Sequence, residues 1–320
     1  MAKTRSISLG VVMDPIAAIK PAKDTTLSML LAAQARGWQL TYMEQADLYL
    51  TAGEARARRR ALSVKDDAKD WHSLGAEADG PLAELDLILM RKDPPFDMEY
   101  VSSTYILERA EAAGVMVVNR PQALRDANEK AYTAWFPQCC PPTLMSRDMD
   151  RIRGFLAEHR KIVVKPLDGM GGAQVFVLTL GDPNTSVVLE TLTENGRRLT
   201  VAQKYLPEIK DGDKRILLID GEPVPYALAR VPAPGESRGN LAAGGKGVGV
   251  ALTERDRWIC SQVAPALKQK GLIFVGLDVI GDWLTEINVT SPTCARELDK
   301  LYKLDIAGQL MDVLAKKLKR

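Results

Sequence analysis

Asp278, Glu286 and Asn288 are the side chains whose types and spacing most readily do chemistry. They fall in the stretch from Gly276 to Pro292, which reads as two apolar strands joined by a tight turn at Gly281-Asp282. Residues two apart leave the same face of a strand, so Glu286 and Asn288 share a face. A three-residue turn, Gly281 to Trp283, sets Asp278 opposite Glu286 on that face. A two-residue turn would set them on opposite faces, so the longer turn is expected. Two carboxylates and an amide oxygen make a hard-oxygen cluster suited to Mg2+, completed by water and by phosphate oxygens of a substrate. The competing reading is a hairpin whose acids simply face solvent.

Candidate cations to answer these acids are spread along the chain. The stretch from Ile162 to Gly172 reads as a strand ending in Lys165, then a loop carrying Gly169, Gly171 and Gly172, with a second strand from Gln174 to Leu178. Such glycines let backbone N–H groups approach an anion closely, and the lysine adds a point charge suited to phosphate. The Walker pattern G-x-x-x-x-G-K-[ST] is absent, and a glycine-rich hairpin alone is weak evidence. Lys130 lies in a helix read over Leu124 to Phe136. Arg91 follows a buried strand, Leu85 to Met90, at the edge where ligands of open α/β sheets bind. It is expected to meet a substrate anion, with a structural ion pair as the alternative. Arg215 and Arg230 lie on a hairpin around Asp220-Gly221. The run Arg56 to Arg60 reads as a solvated helix face, or as a clamp for a substrate carboxylate.

The elements that must position these groups follow from patterning. Ile7 to Met13, a helix capped by Asp24 and closed by Gly37, and Trp38 to Met43 make a βαβ start and hence a parallel sheet. Tyr100 to Ala113 is an amphipathic helix and Val115 to Val118 another strand, with Asn119-Arg120-Pro121 closing this first α/β unit. Thr253 caps a long helix to Lys270, and Leu304 to Leu318 is a last amphipathic helix. Between them the segment 232–249, polar and glycine-rich, is long for a compact domain. It reads as an active-site lid carrying Arg238 and Lys246, or as a plain flexible insertion.

Composition narrows the classes. With 320 residues, 46% hydrophobic and 26% charged, the chain reads as a soluble globular protein of two or three domains. A net charge of +2, from 43 basic and 41 acidic residues, argues against nucleic acid or a membrane surface as partner. No apolar run approaches the ~18 residues of a membrane span, and Met13-Asp14-Pro15 stands where a signal peptide would need small residues. Cys139, Cys140, Cys260 and Cys294 form no C-x-x-C pair, so free thiols in a reducing cytosol are expected. Only His72 and His159 are histidines, and neither lies in a candidate motif. That disfavours zinc, Ser-His and Cys-His chemistry.

In chain order, Lys130, Lys165 with its loop, Gln203-Lys204-Tyr205-Leu206, Asp213, and then Asp278, Glu286 and Asn288 resemble the ATP-grasp fold. The likeness is closer still over Met13-Asp14-Pro15, Met90 to Asp97, Lys165 to Gly172, Asn240 to Gly245 and Glu286 to Thr293. These segments, spread over almost the whole chain, resemble the bacterial glutathione synthetase family. The resemblance implies a mixed α/β and α+β fold: a Rossmann-like parallel-sheet domain over 1–121, then an ATP-grasp unit of two subdomains, 122–202 and 203–320, with 232–249 a flexible loop.

It implies ligation of γ-glutamylcysteine to glycine with ATP consumed to ADP and phosphate, using Mg2+ or Mn2+ in its place. Lys130, Lys165, Gly169, Gly171 and Gly172 would hold the ATP phosphates. Gln203, Lys204, Tyr205 and Leu206 would read the adenine, and Asp213 the ribose. Asp278, Glu286 and Asn288 would hold metal. Asp14, Arg91, Asn288 and Arg296 are expected at the amino-acid substrates, Arg296 at the glycine carboxylate. Arg215 and Arg230 are the candidates for stabilising charge at the acyl centre, and the lid's Arg238 is a further catalytic candidate. A cytoplasmic homotetramer is the implied assembly. The rivals are another ATP-grasp carboxylate-amine ligase and a non-catalytic ATP-binding module.

Overall fold

The computed structural model describes residues 6–236, 239 and 244–319. Arg238, with residues 237 and 240–243 of the lid expected over 232–249, lies outside the described residues.

The first sheet is built from β1 (Ser8–Val12), β2 (Gln39–Met43), β3 (Leu48–Thr51), β4 (Glu54–Val64), β5 (His72–Pro81), β6 (Leu87–Met90) and β7 (Met116–Val118). Helix α1 (Thr25–Ala35) connects β1 to β2, and α2 (Met98–Ala112) connects β6 to β7. Strands β2, β1, β6 and β7 run parallel, as the βαβ start requires. Asp24 caps α1 by accepting Leu27 N–H at 2.6 Å, and Gly37, at φ +74°, lets the chain turn back into β2.

The basic run does not form a helix. It lies in β4, paired antiparallel with β3 and β5. Ala55 and Ala57, on either side of Arg56, are buried, the period of a strand with one buried face. The arginines spend their charge on neighbours: Arg56 on Asp79, Arg58 on Asp47, Arg59 on Glu84 and Arg60 on Glu77. None of these four arginines lines the cavity between the other two sheets.

After the short α3 (Pro121–Asp126), an antiparallel sheet forms from β8 (Thr143–Ser146), β9 (Lys161–Pro166), β10 (Phe176–Thr179) and β11 (Thr200–Lys204), in the order β10-β9-β11-β8. Helices α4 (Met149–His159) and α5 (Thr185–Thr193) pack on it. Its apolar residues, among them Ile152, Leu156, Ile162, Val164 and Leu189, form a core of their own.

The third sheet takes β12 (Asp213–Ile219), β13 (Glu222–Pro223), β14 (Tyr226–Val231), β15 (Lys246–Ala251), β16 (Phe274–Ile280) and β17 (Trp283–Asn288), with α6 (Glu254–Lys270) packed against it. Thr253 and Asp256 cap each other's backbone at the start of α6, and Gly271 ends it at φ +71°. Helix α7 (Ala295–Tyr302) was not visible in the patterning; α8 (Ile306–Leu318) ends the chain. The segment read as a lid is shorter than 232–249, because Lys246 opens β15 by pairing with Val231.

The first and third sheets share their cores: Met90, Tyr100 and Leu107 pack in one cluster with Ile216, Leu277 and Ile287. Leu9, Leu27 and Leu30 join Leu217, Phe274 and Leu310 in another. Common apolar cores tie these two sheets together, whereas the four-stranded sheet keeps a core of its own. A polar pin reinforces the union. Asn119, just past β7, donates to the carbonyls of Phe274 (2.8 Å) and Val289 (2.7 Å) and accepts from the amides of Ile273 (2.7 Å) and Phe274 (3.0 Å).

Candidate active site

The two-residue turn Gly281-Asp282 joins β16 to β17, since Ile280 pairs with Trp283. The three-residue turn read from the sequence is therefore corrected. Asp278 nevertheless stands opposite Glu286, because a bulge between Asp278 and Val279 shifts the register by one. The extra residue is Thr285, whose hydroxyl donates to the Asp278 carbonyl at 3.1 Å. Asn288 pairs with Gly276, and its Nδ2 donates to the Gly276 carbonyl at 3.3 Å. The amide oxygen is then the atom left to coordinate.

This hairpin forms one wall of a cavity of about 340 Å³ between the four-stranded and six-stranded sheets. That is the size range of small-ligand sites. Lys165, at the end of β9, reaches across it to Glu286, Nζ to Oε1 2.9 Å. Lys130 joins from a turn, not from the helix expected: α3 stops at Asp126, and Asn128 Oδ1 accepts the N–H groups of Lys130 and Ala131. Asparagine thereby substitutes for a helical turn. The Lys130 ammonium contacts Glu129, donates to the Gly169 carbonyl at 2.7 Å and lies 3.9 Å from Glu286.

At the other end of the hairpin Arg215 grips Asp278 with two bonds, Nε at 2.5 Å and Nη2 at 3.0 Å. Arg230 Nη2 reaches Asp278 at 2.9 Å and Asp213 at 2.5 Å. Burial would push the Asp278 carboxyl up, but the Arg215 and Arg230 guanidiniums outweigh it and hold it well below the usual range. Burial likewise opposes ionisation of Glu286, and Lys165 and Lys130 hold it ionised. Asp213 differs: burial dominates over Arg230 and lifts its carboxyl to about 6. Its second oxygen, Oδ1, is buried with no hydrogen-bond partner among the described residues. Burial, then the charge of Glu286, raises Glu129. The result is a self-neutralised set of Lys130, Lys165, Arg215 and Arg230 with Glu129, Asp213, Asp278 and Glu286.

The donor chemistry fits a divalent hard cation. Asp278, Glu286 and Asn288 supply oxygens from neighbouring strands. Among the described residues no three acidic, histidine or cysteine side chains would hold a metal by themselves. Phosphate oxygens would complete the shell, the arrangement Mg2+ favours.

The anion and base-binding parts lie on the facing sheet. Gly171 (φ +61°) and Gly172 (φ +81°) turn the loop after β9 through left-handed conformations. At the end of β11, Lys204 N–H donates to the Pro142 carbonyl at 2.9 Å, and Tyr205 N–H to Lys161 at 3.1 Å. Proline has no N–H to return, so this pairing leaves the Lys204 carbonyl without the reciprocal donor a strand neighbour normally gives. Leu206 is buried at the cavity, and Gln203 Nε2 is anchored to Thr143 at 3.0 Å. Gly239, a described residue of the long loop, lies against Arg230 and Asp213; a Cβ there would come within 2.2 Å of the Arg230 carbonyl.

Three expected substrate residues lie elsewhere. Arg91 is buried under the hairpin's exit, Nε bonded to Thr26 at 3.1 Å and Nη2 to the Pro292 carbonyl at 3.0 Å. Asp14 turns to Lys92 (2.9 Å) and to the N–H of Asp93 (2.8 Å). Arg296 sits on α7 and bonds the Pro21 carbonyl at 2.8 Å and Asp66. None of the three lines the cavity. Glu129 and Asp93, which the motifs did not single out, do line it. Asp93 sits at the carboxyl end of β6, so the reasoning that selected Arg91 could have found it.

Comparison with known proteins agrees with this geometry. The family model for the prokaryotic glutathione synthetase N-terminal domain matches residues 7–125, and that for the prokaryotic glutathione synthetase ATP-grasp domain matches 129–303. A glutathione synthetase of Pseudomonas putida is 66% identical over 98% of this chain and 99% of its own length. That of Escherichia coli K12 is 58% identical over 98% of this chain and 99% of its own. Among solved structures, a D-cycloserine synthetase aligns with TM-score 0.68 at 17% identity, covering 97% of this chain and 99% of that one. An ATP-grasp ligase complexed with a precursor peptide aligns at 0.63 and 19%, covering 98% of each chain. At such identities these two establish the fold alone.

Proposed function

This chain belongs to the prokaryotic glutathione synthetase family, and from that premise we infer that it joins γ-glutamylcysteine to glycine, forming glutathione while ATP becomes ADP and phosphate. The observation that carries the reading is the charge-balanced cavity between two sheets, with cations on both walls around a carboxylate hairpin. A carboxylate is a poor electrophile, so the cysteinyl carboxylate must first accept the γ-phosphoryl group. The glycine amine then attacks the acyl phosphate and phosphate leaves. Phosphoryl transfer asks for positioning and charge neutralisation more than for a protein nucleophile. That suits a cavity of lysine, arginine and carboxylate.

In this reading Lys130 and Lys165 exchange their internal carboxylate partners for phosphate oxygens. Asp278, Glu286 and Asn288 would hold Mg2+, which when bound neutralises phosphate charge and orients the transferring group. Arg215 and Arg230, both paired with Asp278 and Arg230 also with Asp213, stabilise negative charge at the acyl centre. The Lys204 carbonyl suits the adenine amino group, and the orphaned Asp213 Oδ1 suits a ribose hydroxyl donor. Substrate capture also needs water kept from the acyl phosphate. The self-contained four-stranded sheet and the loop containing Gly239 are the parts suited to closing. The family likeness carries the homotetrameric assembly and the cytoplasmic location into the same proposal. Among the described residues no helix is long and apolar enough to cross a membrane.

The test is ADP release with Mg-ATP, γ-glutamylcysteine and glycine, each amino component omitted in turn. Turnover that needs both, with glutathione formed in step with ADP, is expected. ADP release without them, or with a different acceptor only, would overturn the substrate assignment.

A further inference from the structure

Asp14 and Arg91 do not face the cavity, yet both strands they follow end at its rim, and the residue that the rim presents is Asp93. Its backbone is fixed from two sides. The N–H donates to Asp14 Oδ2 at 2.8 Å, and the carbonyl accepts from Lys92 Nζ at 2.7 Å. Lys92 is in turn neutralised by Asp14 at 2.9 Å. The loop continues into Pro94-Pro95, whose rings restrict the backbone further. On this held loop the Asp93 carboxylate is exposed and has no hydrogen bond or ion pair among the described residues. It differs in this from Glu129, Asp213, Asp278 and Glu286, each of which already has a cation.

An unpartnered, pre-positioned acid at a cavity rim calls for a cationic group of the ligand. Resting on the synthetase reading above, the reaction offers two organic cations. Glycine's nitrogen must reach the acyl carbon and be neutral when it attacks, so it belongs beside the hairpin and Arg215. The α-ammonium of the γ-glutamyl residue lies at the far end of the acyl substrate and stays charged throughout. Asp93 lies on the loop that follows β6 of the first sheet, not on either wall that holds the reacting groups. We propose that Asp93 binds the α-ammonium of the γ-glutamyl residue, and so selects acyl substrates that carry that charge. Asp14 and Lys92 are then positioning residues that hold the Asp93 backbone.

The test pairs a variant with an altered substrate. Asp93→Asn, at an exposed side chain without partners, should fold as wild type. It should raise KM for γ-glutamylcysteine about 10- to 100-fold, the worth of one charge-assisted hydrogen bond. Its kcat and its KM for ATP and glycine should stay within about twofold. Glutarylcysteine, which lacks only the amino group, should bind wild type more weakly by the same factor and be indifferent to Asp93→Asn. A rise in the glycine KM instead would assign Asp93 to the other amine and overturn the proposal. So would an unchanged KM, or equal penalties on both acyl substrates. Failure of wild-type enzyme to make glutathione at all would refute the synthetase reading itself, a result distinct from any of these.

Discussion

Gly276 offers the sharpest test of how the reacting end is held, because an added methyl there strikes a specific partner. The residue lies in ordinary strand conformation within β16, so alanine has no backbone penalty. Its Cβ would come 2.9 Å from Arg215 Cδ, 3.2 Å from Arg215 Nε and 3.0 Å from Pro292 Cβ. Carbon atoms rest at about 3.5–4.0 Å, so the neighbours must yield by roughly 0.5–1 Å. Pro292 is held from behind by Arg91. Arg215 is the more flexible, and it slides. Its 2.5 Å bond from Nε to Asp278 then stretches toward the limit of a useful hydrogen bond. Losing one charge-assisted bond costs about 1.5–3 kcal/mol. Expressed at the transition state, that is a fall in kcat of roughly 10- to 150-fold. Overpacking costs about 1–3 kcal/mol of stability as well, so steady-state kinetics belong well below the melting temperature. Gly276→Ala is expected to keep its ATP affinity, measured by calorimetry, while kcat falls. A folded variant with kcat within twofold of wild type would show that Arg215's placement does not limit the reaction.

Two further tests address the acids. Glu286→Gln keeps the shape but removes a charge from the metal face; Mn2+ affinity, read by electron paramagnetic resonance with a non-hydrolysable ATP analogue, should fall by at least about tenfold, since even outer partners of a metal are worth that much. Unaltered Mn2+ binding would remove Glu286 from the ligand set. Asp213, lifted by burial to about 6, sets a pH limb. Below that pH the carboxyl is protonated and its pair with Arg230 loses charge, so kcat/KM for ATP should decline as pH falls through 6. Asp213→Asn should be weak at every pH and lack the limb, and a limb that survives the substitution belongs to another group. For stability the sign is opposite. A carboxyl raised from 3.8 favours the folded state below 3.8, and that contribution is lost as pH rises through 6.

The sequence made the parallel core and the cavity's main residues legible because their cues are local. An asparagine two residues after a glutamate shares its strand face whatever the fold, and Asp24 caps a helix by its own chemistry. The hairpin turn was not legible. A bulge at Thr285 leaves no compositional mark, and the right pairing of Asp278 with Glu286 followed from the wrong turn. Lys130 was placed on a helix because apolar spacing runs past Asp126, while the competing Asn128 turn depends on one side-chain hydrogen bond. The arginine run carries two conflicting cues, a block of charge that suits a solvated helix and an alternation with buried alanines that suits a strand, and the strand cue is the weaker one in sequence. Arg91 shows the general limit. A charged residue at a strand's carboxyl end can face ligand or dive between domains, and only the position of Pro292, 201 residues away, decides which.

The Asn119 amide, bonded to both ends of the β16–β17 hairpin, bears on how such enzymes can be recombined. A chimera that grafts this nucleotide-handling half onto a foreign first domain inherits a hairpin whose open end has lost its spacer. The crossover point for such an exchange therefore belongs before β7, so that the strand and its asparagine travel with the half they serve. Specificity at the first sheet's rim can then be altered within the β6–α2 loop beyond Arg91, whose bond to the Pro292 carbonyl belongs to the union between the two bodies.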